Sequence, residues 1–419
     1  MNRLLLDIGA SSIKSILQYK EEIVLDTFHT TESFSTKYGD KFNPHLIIKE
    51  FKEHVEHQFS KREFSEIWLC TEMHNFIAFD ENTNKLSDFF SWRFSDLNNQ
   101  HKKTIIRAFS PLKNLTGQSL KPGLPLLNFA QLNLEKNKRY RIFSLPEFIL
   151  FQEGKFLHRI EKGMAASMGC FNIQNNSWLQ DDLEKVFPKT TFNFSECFSD
   201  TEKPLLGSIE IQNKTIHILG GYGDLQTSLY GVNLDKDSLV LNMGTGSQVS
   251  RLFVKTNNND NYIDTKPFFK KRIQAVTHIP AGRTFNYLNF NYFRDENFWE
   301  NLNSINYISG KTPQLKVDLN IFESNWKYEQ NLFKSLNLKK HKLTSIYESI
   351  LWEFCSQYIE AIDLLNIDNL RSLVISGGRL KKINFVQKFF NSQEEFSINF
   401  PTFPIDETLL GLHRLSLEY

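Results

Sequence analysis

Short apolar runs, each bounded by acids, glycines or small hydroxyl residues, punctuate the chain. Leu4-Leu5-Leu6 has the length and composition of a buried strand and ends on Asp7-Ile8-Gly9-Ala10-Ser11-Ser12. A second strand is predicted over 13–19, after which polar Lys20-Glu21-Glu22 turns the chain into a third at Ile23-Val24-Leu25. Residues 51–59 alternate apolar and charged positions at helical spacing, and Ile67-Trp68-Leu69-Cys70 reads as another buried strand. Further on, Ile346, Ile350, Phe354, Tyr358 and Ile362 give a long helix over 343–365 one buried face. Leu373-Val374-Ile375-Ser376 is a strand running into Gly377-Gly378, and 383–390 resumes helical spacing. Strands alternating with helices predict an α/β fold.

An internal echo organises these elements. Leu4-Leu5-Leu6-Asp7-Ile8-Gly9-Ala10-Ser11-Ser12 is matched in the second half by Leu239-Val240-Leu241-Asn242-Met243-Gly244-Thr245-Gly246-Ser247. Each copy is an apolar strand, an acid or amide, a glycine two residues on, small hydroxyl residues and a second strand. The pair predicts two related domains, 1–234 and 235–419, facing each other across a cleft.

Composition narrows the function classes. A chain of 419 residues suits two large domains better than one core. Hydrophobic residues at 40% and charged residues at 23% carry no disorder signature. Lys+Arg at 49 against Asp+Glu at 48 leaves a formal charge of +1, so no nucleic-acid partner is expected. Cys70, Cys170, Cys197 and Cys355 are scattered, with no CxxC pair, which fits a reducing compartment and no structural metal site. The chain reaches Asp7 before a signal-peptide core forms, and no run of about 18 apolar residues occurs. The expectation is a cytoplasmic protein with no membrane partner.

The two Gly/Ser/Thr turns are the first candidates for chemistry. Such turns present backbone N–H groups in a small concavity that holds phosphate oxygens. Ordinary hairpin turns, with glycine supplying positive φ, are the alternative. Lys14 stands ready to neutralise a phosphate or is simply solvated. Asp7 holds Mg²⁺ through water or caps the turn that follows. Between the turns, Gly220-Gly221-Tyr222-Gly223-Asp224-Leu225-Gln226 reads as a glycine loop entering a helix. Asp224 is then either its N-cap or a carboxylate accepting a proton during phosphoryl transfer. His29, His54, His57, His101 and His341 read as surface residues. His278, close before Gly282 and Arg283, is surface or faces a nucleotide.

Taken together, these motifs resemble the FGGY carbohydrate kinases of the actin–hexokinase–chaperone superfamily. Residues 7–14 are similar to that family's first phosphate motif, 241–248 to its second, and Gly223-Asp224-Leu225-Gln226 to the segment bearing its catalytic aspartate. Ser376-Gly377-Gly378-Arg379 resembles the adenosine turn, and 407–411 the closing helix after it. Thr71-Glu72-Met73-His74-Asn75 stands where xylulose kinases have a sugar-binding Gln-Met-His-Gly, and Thr116-Gly117, Leu124-Pro125 and 165–171 also fit. The Gly-Asp-Leu-Gln and Asn-x-Gly-Thr forms are most similar to the sedoheptulose kinase branch, whereas Met73-His74 leans towards xylulose kinases, and the two stay unseparated. The family's Trp-x-Asp-x-Arg appears only as Trp92-Arg93-Phe94-Ser95-Asp96, and the adenosine turn has two glycines where three are usual.

The resemblance implies two actin-like (ribonuclease H-like) domains with the active site in the cleft between them. It implies ATP-dependent phosphorylation of a sugar or polyol, foremost a ketose, with Asp224 as general base. ATP phosphates would meet Asp7, Gly9, Ser11, Ser12 and Lys14 on one side and Gly244, Thr245, Gly246 and Ser247 on the other. Gly377, Gly378 and Arg379 would hold adenosine. Glu72, Met73, His74 and Trp92, with Asp224, would hold sugar, and Asp7 and Asp224 would hold Mg²⁺ through water. A small-molecule sugar or polyol is the partner implied, and a homodimer stays open. The rival classes are a non-catalytic sugar or nucleotide sensor on the same fold and a chaperone-like or filament-forming ATPase.

Overall fold

The computed structural model describes residues 2–9, 12–19, 22–29, 37, 39–94, 100–132, 134, 137–199, 201–244, 246–254, 260–313, 315–322, 326–327, 342–365, 370–403 and 405–419. Ser11, Thr245, Asp96 and His341 of the sequence reading lie outside the described residues. The chain divides into two compact units: Met1–Asn233 with Lys266–Lys271 and Phe403–Tyr419, and Leu234–Thr265 with Arg272–Thr402.

In the first unit, β1 (Asn2–Ile8), β2 (Ile13–Tyr19) and β3 (Glu22–His29) form the expected antiparallel meander. Leu4, Leu5 and Leu6 are wholly buried, so burial on both faces explains why this strand is an unbroken apolar run. Helix α1 (His45–Lys61) covers the sheet with Ile47, Phe51, Val55 and Phe59. The sheet is completed by β4 (Glu66–Thr71), β5 (Gly154–Phe156), β6 (Leu205–Ile211) and β7 (Lys214–Gly223), in the order β5-β6-β7-β4-β1-β2-β3. Strands β1, β4 and β7 run parallel, and their ends Ile8, Thr71 and Gly223 lie level in the ladder. That edge gathers the candidate residues.

The glycines before Asp224 are not the expected loop. Gly220 and Gly221 sit inside β7 at φ 85° and 64°, where a bulge between Gly220 and Tyr222 re-aims the strand end. Helix α2 (Asp224–Gly231) then starts directly, with Gly223 as its cap residue, so Asp224 is in the first turn and is not the N-cap.

The second unit repeats the pattern. Strands β8 (Ser238–Met243), β9 (Ser247–Leu252), β10 (Ile263–Phe268), β11 (Lys271–Thr277), β12 (Ser372–Ser376) and β13 (Ser397–Asn399) order as β10-β11-β9-β8-β12-β13. As β1 lies between antiparallel β2 and parallel β4, so β8 lies between antiparallel β9 and parallel β12. Helices α3 (Leu343–Leu365) and α4 (Asn384–Asn391) occupy the places their spacing predicts, burying Ile350, Phe354 and Tyr358, and Phe385 and Phe389.

The division expected at 234/235 differs at two places. Residues 266–271, the tip between β10 and β11, count with the first unit, where the Phe269 ring meets Tyr222 and Tyr230. The closing helix α5 (Glu407–Leu417) does so too, because Leu409, Leu412 and Leu415 share the apolar core of Leu4–Leu6. Two glycines let α2 and α5 touch backbone to backbone. A Cβ at Gly231 would lie 2.0 Å from the Glu407 carbonyl, and one at Gly411 1.9 Å from that of Thr227. His54, expected at the surface, is buried on α1 with Nε2 2.8 Å from the Ser15 hydroxyl.

Candidate active site

At the level edge of the first unit, Asp7 is the next-to-last residue of β1 and faces Lys14 across the antiparallel pair. Opposite residues on neighbouring strands share a face, and here the ammonium lies 3.9 Å from Asp7 Oδ2. Asp7 Oδ1 is buried and has no hydrogen-bond partner among the described residues. Burial, reinforced by Asp406 and Asp224 and opposed by Lys14, pushes the Asp7 carboxyl up to about 8. The turn after it closes with Gly9 N–H donating to the Ser12 carbonyl at 3.0 Å.

Asp224 stands half-buried at the start of α2, its Oδ1 accepting from Leu225 N–H at 2.9 Å. Burial raises its pKa from the ordinary 3.8, against the pull of that N–H, Lys266 and Lys14. A carboxylate poised this way is suited to take a proton.

Just beyond β4, Glu72 N–H donates to the Ile8 carbonyl at 3.0 Å, which fixes the segment beside Asp7. The Glu72 side chain is buried, with Ser91 Oγ donating to Oε2 at 3.4 Å and Oε1 without a partner among the described residues. His74 adopts φ 57° and donates from Nδ1 to the Ser167 carbonyl at 2.8 Å, which makes Nε2 the acceptor nitrogen of the neutral ring. Met73 is buried against Gly223, where a Cβ would come within 2.6 Å of its Cγ and Sδ. Trp92 is half-buried with the Arg93 guanidinium 5.3 Å from its ring centre.

The second unit carries the other turns. Gly244 N–H donates to the Asn242 carboxamide at 2.9 Å. Neither Gly9 nor Gly244 has the positive φ that a hairpin-turn reading expects; a Cβ at Gly244 would instead meet Asn242 Oδ1 at 2.9 Å. The Ser247 hydroxyl is buried against the Tyr358 hydroxyl. Gly377 has φ 103° and lies on the backbone of Met243 and Gly244, so the two turns form one surface. Gly378 is exposed with open space where a Cβ would point, and Arg379 lies exposed 5.0 Å over the Trp299 ring.

No protein-family model matches the chain. A gluconokinase from Bacillus subtilis (strain 168) is 23% identical over 279 residues, 60% of this chain and 52% of that protein. The chain thus matches about half the length of this curated relative. Among solved structures, xylulose kinase from Lactobacillus acidophilus aligns with 99% of this chain and 90% of its own, at TM-score 0.78 and 18% identity. Gluconate kinase from the same organism covers 100% and 89% at TM-score 0.77 and 17% identity. Plasmodium falciparum glycerol kinase, solved with ADP, covers 99% and 88% at TM-score 0.74 and 15% identity. The chain has the fold of the FGGY carbohydrate kinases.

Within this FGGY fold three further charged residues bear on the site. Asp406 is the N-cap of α5, accepts from Thr408 N–H at 2.9 Å, and takes the Lys14 ammonium at 2.8 Å. Lys266, buried near the β10–β11 tip, opposes the upward shift of Asp224, and Arg93 opposes that of Glu72. The Asp-x-x-Leu-Leu-Gly cap pattern signalled Asp406. Nothing local signalled Lys266.

Burial is also the main cause that pushes the Glu72 carboxyl from 4.5 to about 8; Asp224 and Asp40 add to it, while Arg93 and Ser91 oppose it. The folded protein therefore holds a proton that the unfolded chain releases above about 4.5. This contribution to stability is complete below that pH and is lost as pH rises towards 8. Glu72→Gln cannot ionise, so its melting temperature relative to the parent rises between pH 5 and pH 8. Parallel melts at the two values check this, and an unchanged difference would contradict it.

Proposed function

We propose that this protein is an ATP-dependent carbohydrate kinase that phosphorylates a hydroxyl of a neutral sugar or polyol, foremost a ketose such as xylulose, ribulose or sedoheptulose. The observation that carries the reading is the convergence of Asp7, Glu72 and Asp224, with Lys14 opposite, on one edge of three parallel strands. The FGGY fold and the kinase names of its structural neighbours support it.

On this reading 1–234 supplies the sugar pocket, first phosphate turn and proton acceptor, and 235–419 the second phosphate turn and adenosine turn. Asp224 takes the proton from the attacking hydroxyl, and Lys14 offsets charge on the phosphates. Mg²⁺ fits the donors present: Asp7 Oδ1 is buried and has no partner among the described residues, and Asp224 is a second carboxylate at the same edge. Among the described residues no group of three or more His, Cys, Asp or Glu is arranged to hold a metal ion, so water and phosphate would complete its shell, as Mg²⁺ prefers. When bound, Mg²⁺ would supply positive charge to balance that of the phosphates. A carboxylate-bearing acceptor such as gluconate would place a negative charge beside the Asp224 carboxylate, which favours a neutral one.

A coupled ADP-release screen over xylulose, ribulose, sedoheptulose, glycerol and gluconate tests the reading. Turnover with a neutral acceptor supports it; binding of sugar or nucleotide without turnover points to a sensor. The sugar side has its own test. His74→Asn keeps a residue tolerant of the left-handed backbone but loses the reach of Nε2. Its KM for sugar rises by about 10-fold while ADP affinity holds, as loss of one hydrogen bond to substrate predicts. Unaltered sugar kinetics in a stable variant would remove His74 from the pocket.

A further inference from the structure

Asp406 has no task in the kinase reading, yet it is the closest partner of Lys14. The ammonium is 2.8 Å from Asp406 Oδ2 and 3.9 Å from Asp7 Oδ2, so it is hydrogen-bonded to the first and only near the second. The other Asp406 oxygen caps α5 by accepting from Thr408 N–H. Burial pushes this carboxyl up, but Lys14 and the Thr408 N–H outweigh it and hold it below the ordinary range. The start of α5 further favours a negative charge there. Asp406 is thus a fixed anion on a rigid helix end, tied to α2 through Gly231 and Gly411.

We propose that Asp406 is a positioning residue for Lys14, holding its ammonium off Asp7 so that Asp7 stays open to a magnesium–nucleotide ligand. The proposal rests on the kinase reading. Lysine carries its charge on a flexible four-carbon stem, so closing from 3.9 Å to hydrogen-bond distance needs only side-chain rotation. Without the Asp406 charge, Asp7 is the carboxylate left beside Lys14 among the described residues. An ammonium seated on Asp7 competes with the cation for the same charge and draws away from the phosphate it should meet.

Asp406→Asn tests this, because asparagine caps helices about as well as aspartate but carries no charge. The variant folds with a melting temperature near that of the parent. Calorimetric titration with ADP across a Mg²⁺ series then shows about tenfold more Mg²⁺ needed for half-maximal binding, equivalent to about 1.4 kcal/mol. In a Lys14→Met background the same change adds no further loss, because the two residues act through one contact. Native Mg²⁺ dependence in folded Asp406→Asn, or additive losses in the double variant, would overturn the proposal. Asp406→Ser, which also caps without charge, repeats the test should Asn not fold. If neither folds, Asp406 serves stability alone and the proposal falls. If the parent protein does not bind MgADP, the kinase reading fails first.

Discussion

Asp224→Asn lowers sugar-dependent ADP release by about 100-fold or more, the usual loss when a general base is removed. The amide matches the carboxylate in size and still accepts the Leu225 N–H, so α2 keeps its start. It cannot take the proton of the attacking hydroxyl. Nucleotide binding is largely retained, because the turns around Gly9, Gly244 and Gly377 are untouched. The pH profile carries the same signature. Burial raises the Asp224 pKa above 3.8, so the acidic limb of kcat/KM in the parent lies higher than an ordinary aspartate would put it. Initial rates with MgATP and the best acceptor, beside a melt, decide it. Near-parental turnover in a folded variant would remove Asp224 from the chemistry.

On the proposed reading, Gly377→Val strikes the nucleotide side with comparable force. The position has φ 103°, and a Cβ there would lie 2.7 Å from both the backbone N and C of Met243 and 2.8 Å from the N of Gly244. A β-branched residue resists that backbone conformation, at a cost of about 1–2 kcal/mol or more. The backbone contacts cannot yield as a flexible side chain would, and overpacking adds about 1–3 kcal/mol. The variant therefore loses several degrees in melting temperature and at least about tenfold in ADP affinity. Gly378→Val, where a Cβ meets nothing within 4 Å, is the control for bulk alone. Equal behaviour of the two variants would separate the adenosine turn from the second phosphate turn.

Much of the architecture was legible because its signals are local. Leu4–Leu6 and Leu239–Leu241 are buried on both faces and so read as unbroken apolar runs. Residues 343–365 carry one buried stripe at helical spacing. The matched turns exposed the repeat itself. What stayed hidden depends on partners distant in sequence. A buried α1 face is expected from 51–59, but His54 joins it only because Ser15 of β2 offers a hydroxyl. Ser247 looked like Ser12 in the alignment of turns, and Tyr358, more than a hundred positions away, turns its hydroxyl inward. The glycines before Asp224 resemble a loop because loops and bulges demand the same positive φ. Asp406 meets Lys14 only when α5 docks on the first sheet.

That docking also sets an order of assembly. The Leu409, Leu412 and Leu415 side chains fill the core around Leu4–Leu6, Arg3 donates to the Ser416 carbonyl, and the Ser416 hydroxyl donates to Gln18 at 2.8 Å. The Tyr419 ring rests 6.0 Å from that of Trp68. During synthesis the strands of the first unit emerge early, yet a face of their sheet waits uncovered until α5 has been made. Contacts of such long sequence separation slow folding and leave apolar surface open in the interval. The half of the chain that leaves the ribosome first is the last to close.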